Sequence, residues 1–232
     1  MSTTASDLAA LLAAASQSAQ GLGALPPARC AAALALDGLT ISLINHSGLE
    51  LVWSDPADTP GIALDDLQYT LGEGPTLDAA HTGRPTIVPD LHAMPETRWP
   101  ALLPALHDHP VRAVFALPLH LGVIRLGVLT GRRGTPGPLH RAQMTDALAL
   151  AEAATVILLT PDGVHDIGSN DPLPLHRALI HQATGALSYR LGVSLTDALA
   201  RLRAYAYTND RPILDVAHDV IHHRLHLGSV FK

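Results

Sequence analysis

Cysteine, aromatic residues and long apolar runs are scarce in this sequence. Its 232 residues include a single cysteine, Cys30, which excludes an intramolecular disulfide and a metal centre built from several thiolates. Aromatic residues make up 3% of the chain and hydrophobic residues 47%, so we expect a core of alanine, leucine and valine. No apolar run reaches the length of about 18 residues that indicates a transmembrane helix. No basic residue precedes the first apolar segment, as a signal peptide would require, and we therefore expect a cytoplasmic protein without a membrane partner.

Charge is unevenly distributed along the chain. The net charge is −6, which argues against attraction of the whole protein to a polyanion. Residues 1–171 contain 8 arginines and 17 acidic residues, whereas residues 172–232 contain 7 basic residues and 4 aspartates. An acidic body is thus followed by a basic tail, and this asymmetry favours a polyanionic partner for the tail.

Hydrophobic periodicity predicts an α+β fold for the first 160 residues. Residues 39–47 and 49–54 alternate in polarity and predict a β-hairpin. Further strands are expected at 85–91, 111–121 and 124–133, the last two joined through Gly122. Helices are expected at residues 6–20, 28–36, 58–67, 98–109 and 138–159. We predict one antiparallel sheet of five or six strands, flanked by helices on one or both faces.

The end of the chain predicts a separate all-α unit. Residues 161–174 have the Gly, Pro, Asp and Ser content of a linker. Three helical patterns follow with short connections, so neighbouring helices pack directly. Gly192 suits the end of the first helix, and Ser194 suits the N-cap of the second. We predict an α+β domain at 1–160, a linker at 161–174 and a three-helix domain at 175–232.

Residues 180–221 resemble an ANTAR domain, the RNA-binding module of transcription antitermination regulators. The spacing agrees without a gap, and the residues that carry it are Ala183, Gly185, Ala198, Leu202, Arg203, Asp215, Val216 and Ala217. The resemblance implies binding to RNA with paired hairpins, prevention of transcription termination, and activity as a homodimer. Thr184 and Ala204 depart from the Lys and Arg that are common in the family, which reduces the expected attraction to phosphates.

Upstream, LGEGPTLDAAHTGRPTIVPDL (Leu71–Leu91), together with Arg98–Pro100 and Arg112–Leu119, resembles a GAF domain. The resemblance implies a sensory α+β module that binds a small molecule or serves as a dimer platform. The ligand is not identified by the sequence, and no cofactor is expected. Thr76 stands where several relatives have cysteine, so neither covalent chromophore attachment nor redox sensing is expected there.

Basic and aromatic residues of the tail are the candidate RNA contacts. Arg203, Asn209 and Arg211 can reach phosphates or a loop base, and Tyr205 or Tyr207 can stack on an unpaired base. The alternative is that the arginines are merely solvated.

In the first helix of the tail, Ala183, Thr184 and Gly185 would let a backbone approach closely. Glycine within a helix costs about 1 kcal/mol relative to alanine, which a close contact with either RNA or the second helix would explain.

Catalytic and metal chemistry have little support in the sequence. His218, His222 and His226 recur every fourth residue and two of them could hold zinc, but no carboxylate or cysteine completes the set. No G-x-S-x-G nucleophile motif is present, so we expect neither an enzyme nor a metal site. The alternative function is a protein-interaction or dimerisation module that does not bind RNA, which Thr184, Ala204 and the net charge favour.

Overall fold

A five-stranded antiparallel sheet organises the first 160 residues. The structure, a computed structural model, describes residues 3–16, 18, 20–45, 48–160 and 177–225. The strands are β1 (Gly38–Asn45), β2 (Gly48–Ser54), β3 (Thr86–Val88), β4 (Ala113–Leu121) and β5 (Ile124–Arg133). Their order is β2-β1-β5-β4-β3, and all neighbours pair antiparallel. The predicted linker, 161–174, lies outside the described residues.

Helices cover both faces of the sheet. Their bounds are α1 (Thr3–Ser16), α2 (Pro27–Ala33), α3 (Thr59–Leu71), α4 (Pro75–Thr82), α5 (Leu102–Ala105) and α6 (Arg141–Leu158). Because side chains alternate along a strand, Ile41, Phe115 and Leu129 pack against α1, α2 and α6 on one face. Ala116 and Val128 pack against α4 on the other. The predicted α+β class is therefore confirmed.

The differences from the predicted elements have local causes. The helix predicted at 98–109 shortens to the four residues of α5, which contains Pro104. Helix α3 extends past residue 67 and ends where Gly72 adopts a φ of 73°. Helix α4 was not expected from the sequence. It begins at Pro75, only three residues after the Gly72 that ends α3, and its eight residues are too few to show a repeated apolar spacing.

Three helices, α7 (Ala178–Leu191), α8 (Leu195–Thr208) and α9 (Ile213–Ile221), form the C-terminal part. Gly192 ends α7 with a φ of 63°, and the Ser194 hydroxyl accepts a hydrogen bond from Asp197 N at 3.0 Å, which confirms both predicted caps. The core of this part is built from Ile180, Ala183, Leu187, Ala198, Leu199, Leu202, Ala206, Ile213, Val216, Ala217 and Val220, and Tyr69 of α3 joins it. Among the described helices, none is long and apolar enough to cross a membrane.

Candidate nucleic-acid interface

The turn between α8 and α9 presents two of the candidate RNA contacts to solvent. Helix α8 buries Leu202 and Ala206 and leaves the Tyr207 side chain 58% exposed. Asn209 follows at the exposed C-terminus of the helix, where its Nδ2 donates to the Tyr205 carbonyl at 2.9 Å. An exposed aromatic ring beside an amide is an arrangement that can stack on and hydrogen-bond an unpaired base.

Arg211 lies in the same turn but is held by an ion pair. Its Nη2 is 2.7 Å from Asp219 Oδ2 on α9, and both side chains are partly exposed. The hydrogen bond from Arg211 holds the pKa of Asp219 below its usual value. The guanidinium is therefore oriented at the surface while its charge is partly balanced by a neighbouring carboxylate.

Arg203 faces the N-terminal part of the molecule. Its guanidinium carbon lies 4.4 Å from the centre of the Tyr69 ring of α3, a cation–π contact. Among the described residues it forms no ion pair, and its buried Nε has no hydrogen-bond acceptor. Burial lowers the pKa of Arg203. Arg203 and Tyr207 lie one turn apart on α8, but Arg203 is only partly exposed whereas Tyr207 is exposed.

The three candidates on α7 occupy different environments. Ala183 and Thr184 are buried, and the Thr184 hydroxyl donates to the Ile180 carbonyl at 2.7 Å. Gly185 is partly exposed, and no described atom beyond its own helix lies within 4 Å of where a β-carbon would stand. A close approach of α8 therefore does not account for this glycine, and the space beside it is open to a partner.

Tyr207 and Arg211 also line a cavity of about 450 Å³ between α3 and the α8–α9 turn. The α3 side contributes Ala63, Asp66 and Leu67 to this lining. The structure thus brings two candidate RNA contacts next to the helix that carries Tyr69.

Arg177, which sequence reasoning missed, joins the two parts of the chain. Its side chain is fully buried, with Nη2 at 2.6 Å from Asp65 Oδ2 and 3.0 Å from Asp66 Oδ1. Its Nη1 donates to the Leu49 carbonyl at 2.9 Å, and its guanidinium lies 4.1 Å from the Tyr69 ring centre. A signal was available, because Asp65 falls on the buried face of α3, where an unpaired carboxylate would be costly.

A second contact across this junction involves Glu50 of β2. This carboxylate is 2% exposed, and its Oε1 accepts from the Arg177 backbone N–H at 2.7 Å. Its Oε2 lies 2.8 Å from His181 Nε2. Three carboxylates of the N-terminal part therefore converge on the first residues of the C-terminal helices.

Polar side chains also fill the space between α3, α4 and the sheet. The buried Thr76 hydroxyl accepts from Gln68 Nε2 at 2.9 Å and lies 3.1 Å from the Thr130 hydroxyl. Thr76, at the centre of this network, is the residue that stands where several relatives have cysteine. In the described part of the chain, no group of three or more His, Cys, Asp or Glu side chains could hold a metal ion, and His226 lies outside that part.

Comparisons with known proteins agree with this architecture. The sequence matches the GAF domain family over residues 6–158 and the ANTAR domain family over residues 175–221. No curated protein matches the sequence.

Solved structures provide two informative neighbours. The chain is similar to the GAF domain of an Acinetobacter phosphoenolpyruvate-protein phosphotransferase, with a TM-score of 0.54 and 13% identity over 74% of this chain and 99% of that one. It is also similar to an N-acylhomoserine-lactone-dependent LuxR-family transcription factor from Burkholderia cenocepacia, with a TM-score of 0.52 and 19% identity over 68% of this chain and 97% of that one. At these identities the likeness shows the fold alone.

The GAF match spans more than half of the chain and coincides with the sheet and its flanking helices. The ANTAR match coincides with α7, α8 and α9. The chain therefore belongs to the GAF domain family, and its GAF domain is followed by an ANTAR domain.

Proposed function

We propose that this protein is a signal-responsive, RNA-binding transcription antitermination regulator of the cytoplasm. In this proposal the GAF domain receives the signal, in the form of a small molecule, and the ANTAR domain binds paired RNA hairpins. The observation that carries the proposal is the surface at the α8–α9 turn, where Tyr207, Asn209 and Arg211 lie together. The protein then acts by binding, and no catalytic step is assigned to it.

The chemistry of that turn suits single-stranded RNA loops. Proteins read such loops by stacking unpaired bases on aromatic rings and by contacting phosphates with arginine. Tyr207 supplies the ring and Arg211 the cation, while the opening beside Gly185 leaves room for a backbone to approach α7.

Binding of two hairpins by one assembly requires two ANTAR domains, and we place the surface that would pair two chains on α6. Leu148 and Val156 of α6 and Leu159 at its C-cap lie at helical spacing, and these three apolar side chains are between 43% and 65% exposed. A stripe of this kind favours packing of α6 against the same helix of a second copy. The proposal therefore includes a homodimer.

The decisive experiment measures binding of the full-length protein to a panel of two-hairpin RNAs at about 50 and 200 mM salt. We expect binding that weakens with salt and that weakens further in Tyr207→Ala, where loss of one stacked base corresponds to about 1–3 kcal/mol. Arg211→Ala should reduce both the affinity and the salt dependence. Arg84→Ala is the matched control, because it removes an exposed GAF-domain arginine.

A dimerisation module without RNA binding is the second candidate. It is favoured by the burial of Thr184, by the contact of the Tyr69 ring with the Arg203 guanidinium and by the net charge of −6. Stable dimers that ignore every two-hairpin RNA at low salt, and that are unaffected by Tyr207→Ala and Arg211→Ala, would establish this function instead.

A further inference from the structure

We infer that helix α3 of the GAF domain holds the ANTAR domain closed to RNA through the contacts of Tyr69 with Arg177 and Arg203. The inference rests on the proposed function, since it describes how RNA binding at the same site is regulated. We call this set of contacts the clamp. Its members are Glu50, Asp65, Asp66 and Tyr69 of the GAF domain and Arg177, His181 and Arg203 on the ANTAR side.

Arg177 makes the buried ion pairs of the clamp. Its side chain has no solvent exposure, and Asp65 and Glu50 are 4% and 2% exposed, so these charges depend on one another. Separation of a buried ion pair is tolerable only when both partners return to water, because a single charge left buried is strongly destabilising. Arg177 and the carboxylates therefore favour two discrete arrangements, docked and undocked, rather than a gradual loosening.

The second half of the clamp is weaker and covers an RNA-binding candidate. Arg203 contacts the same Tyr69 ring at 4.4 Å but has no carboxylate of its own among the described residues. Arg177 and Arg203 also repel each other, since both cations lie against one ring. Arg203 is thus kept at the GAF surface because Arg177 fixes α7 nearby. In this position Tyr69 covers one face of the guanidinium, which is closed to a base, and the residue is only partly exposed.

The docked arrangement also sets acidic groups beside the remaining RNA contacts. Asp66 of α3 and Asp210 of the turn line the same cavity as Tyr207 and Arg211. RNA entering there would meet the Asp210 carboxylate and the apolar side of α3, and the Asp66 carboxylate is already paired with Arg177, so this arrangement opposes entry of a polyanion. Undocking removes α3 and Asp66 from this position and uncovers Arg203 in the same step.

The expected size of the effect follows from the docked fraction. The apparent affinity of a site that is open only part of the time falls in proportion to the open fraction. A clamp that is closed about 99% of the time would weaken RNA binding by about 100-fold. Opening it by mutation should therefore tighten binding by about tenfold or more.

The test uses the full-length chain with Asp65→Asn/Asp66→Asn, which removes both carboxylates that pair with the Arg177 guanidinium. The Ser42 hydroxyl donates to Asp65 Oδ1 at 2.8 Å, and the amide introduced at position 65 retains an oxygen for this bond, so we expect the variant to keep the GAF fold. Two quantities are measured, the affinity for two-hairpin RNA and the hydrogen exchange of α3 and α7. The matched control is Glu96→Gln/Asp108→Asn, which changes the net charge equally at exposed positions outside the clamp.

A second pair of variants tests the contacts that the Tyr69 ring makes with Arg177 and Arg203. Tyr69→Leu removes the surface that both guanidiniums contact and should open the clamp. Tyr69→Phe should leave it closed, because phenylalanine keeps the ring that both guanidiniums contact.

Faster exchange in α3 and α7, together with RNA binding at least about tenfold tighter than in the charge control, supports the clamp. Faster exchange with equally tight RNA binding before and after the change would leave the RNA-binding function in place and overturn the clamp as its regulator. Unchanged exchange in both Asp65→Asn/Asp66→Asn and Tyr69→Leu would show that these contacts do not hold the domains together. Undocked protein that binds no RNA would overturn the proposed function and, with it, this regulation.

Discussion

Cys30 shows how far the surroundings of one residue determine its chemistry. It lies in α2 with no exposed area, and burial raises the pKa of its thiol to about 11. Since the thiolate is the reactive form, only about one thiol in a thousand is ionised at about pH 8 while the thiol stays buried. We expect no reaction of native protein with a thiol reagent at this pH and one equivalent after denaturation. Rapid labelling of the native protein would show that α2 is not packed as described.

The same pKa shift fixes a direction for stability. The thiol is more easily ionised in the unfolded chain than in the folded one. The buried thiol therefore makes its full contribution to the free energy of unfolding when the pH is below the pKa of the unfolded chain. That contribution is lost as the pH rises through about 11. At neutral pH Cys30 therefore acts as a small apolar side chain.

The Arg211–Asp219 pair sets how much positive charge the α8–α9 turn offers to RNA. Asp219→Asn removes the carboxylate at 2.7 Å and should strengthen RNA binding a few-fold, with a steeper dependence on salt. Asp215→Asn is the control, because this exposed aspartate lies on the same helix outside the pair. Equal gains in both variants would indicate a general charge effect rather than release of Arg211.

The pH dependence of that pair has a defined sign. The pKa of Asp219 is lowered by its hydrogen bond from Arg211, so the pair contributes to stability above the unfolded pKa of the carboxyl group. The contribution is lost as the pH falls through the lowered, folded-state pKa. Acidification should therefore release Arg211 only well below neutral pH.

At the scale of elements, α6 provides the proposed dimer surface. Leu148→Asp/Val156→Asp places two charges on its exposed apolar stripe, where they would be desolvated in a dimer, and should yield monomers. Size-exclusion chromatography with light scattering would measure the change. Leu195→Asp is the control, since Leu195 is a similarly exposed apolar residue on α8. Dimers that persist in the α6 variant would place the interface elsewhere.

Elements with strong local signals were predictable, and elements without them were not. The caps at Gly192 and Ser194 depend on residues within the same turn, so the sequence alone located both ends correctly. The long helix predicted from Pro138 begins at Arg141, an error at its boundary only. Helix α4 was missed because its eight residues are held mainly by long-range packing on the sheet.

At the scale of the whole molecule, the two parts of the chain were predictable but their contact was not. Periodicity identifies which face of a helix is buried, yet it does not identify the partner of that face. Asp65 and Tyr69 lie on the buried side of α3, and their partners Arg177 and Arg203 are more than 100 residues away. The sequence therefore indicated Arg203 as a candidate RNA contact because of its charge. It did not indicate Arg177, whose guanidinium lies against the same Tyr69 ring.

This contact couples the stability of the two domains. The ANTAR helices form a small core that includes Tyr69 of the GAF domain, and small cores have little stability of their own. Arg177→Ala leaves the buried Asp65 without its cation, for which a cost of about 3–5 kcal/mol is expected, whereas Glu50 keeps its bond to the backbone N–H of residue 177. Arg98→Ala removes an exposed ion pair with Asp78 and should cost less than about 1 kcal/mol.

Differential scanning calorimetry of the protein alone, without RNA, measures how many unfolding transitions each variant has and at which temperatures. We expect the wild-type protein and Arg98→Ala to unfold in a single transition, because docking makes the ANTAR helices unfold with the GAF domain. In Arg177→Ala the trace should divide, with an early transition for the ANTAR helices and a later one for the GAF domain. A single transition at the wild-type temperature in Arg177→Ala would mean that the two domains stay docked without this side chain, and that its buried ion pairs contribute little to the docked arrangement.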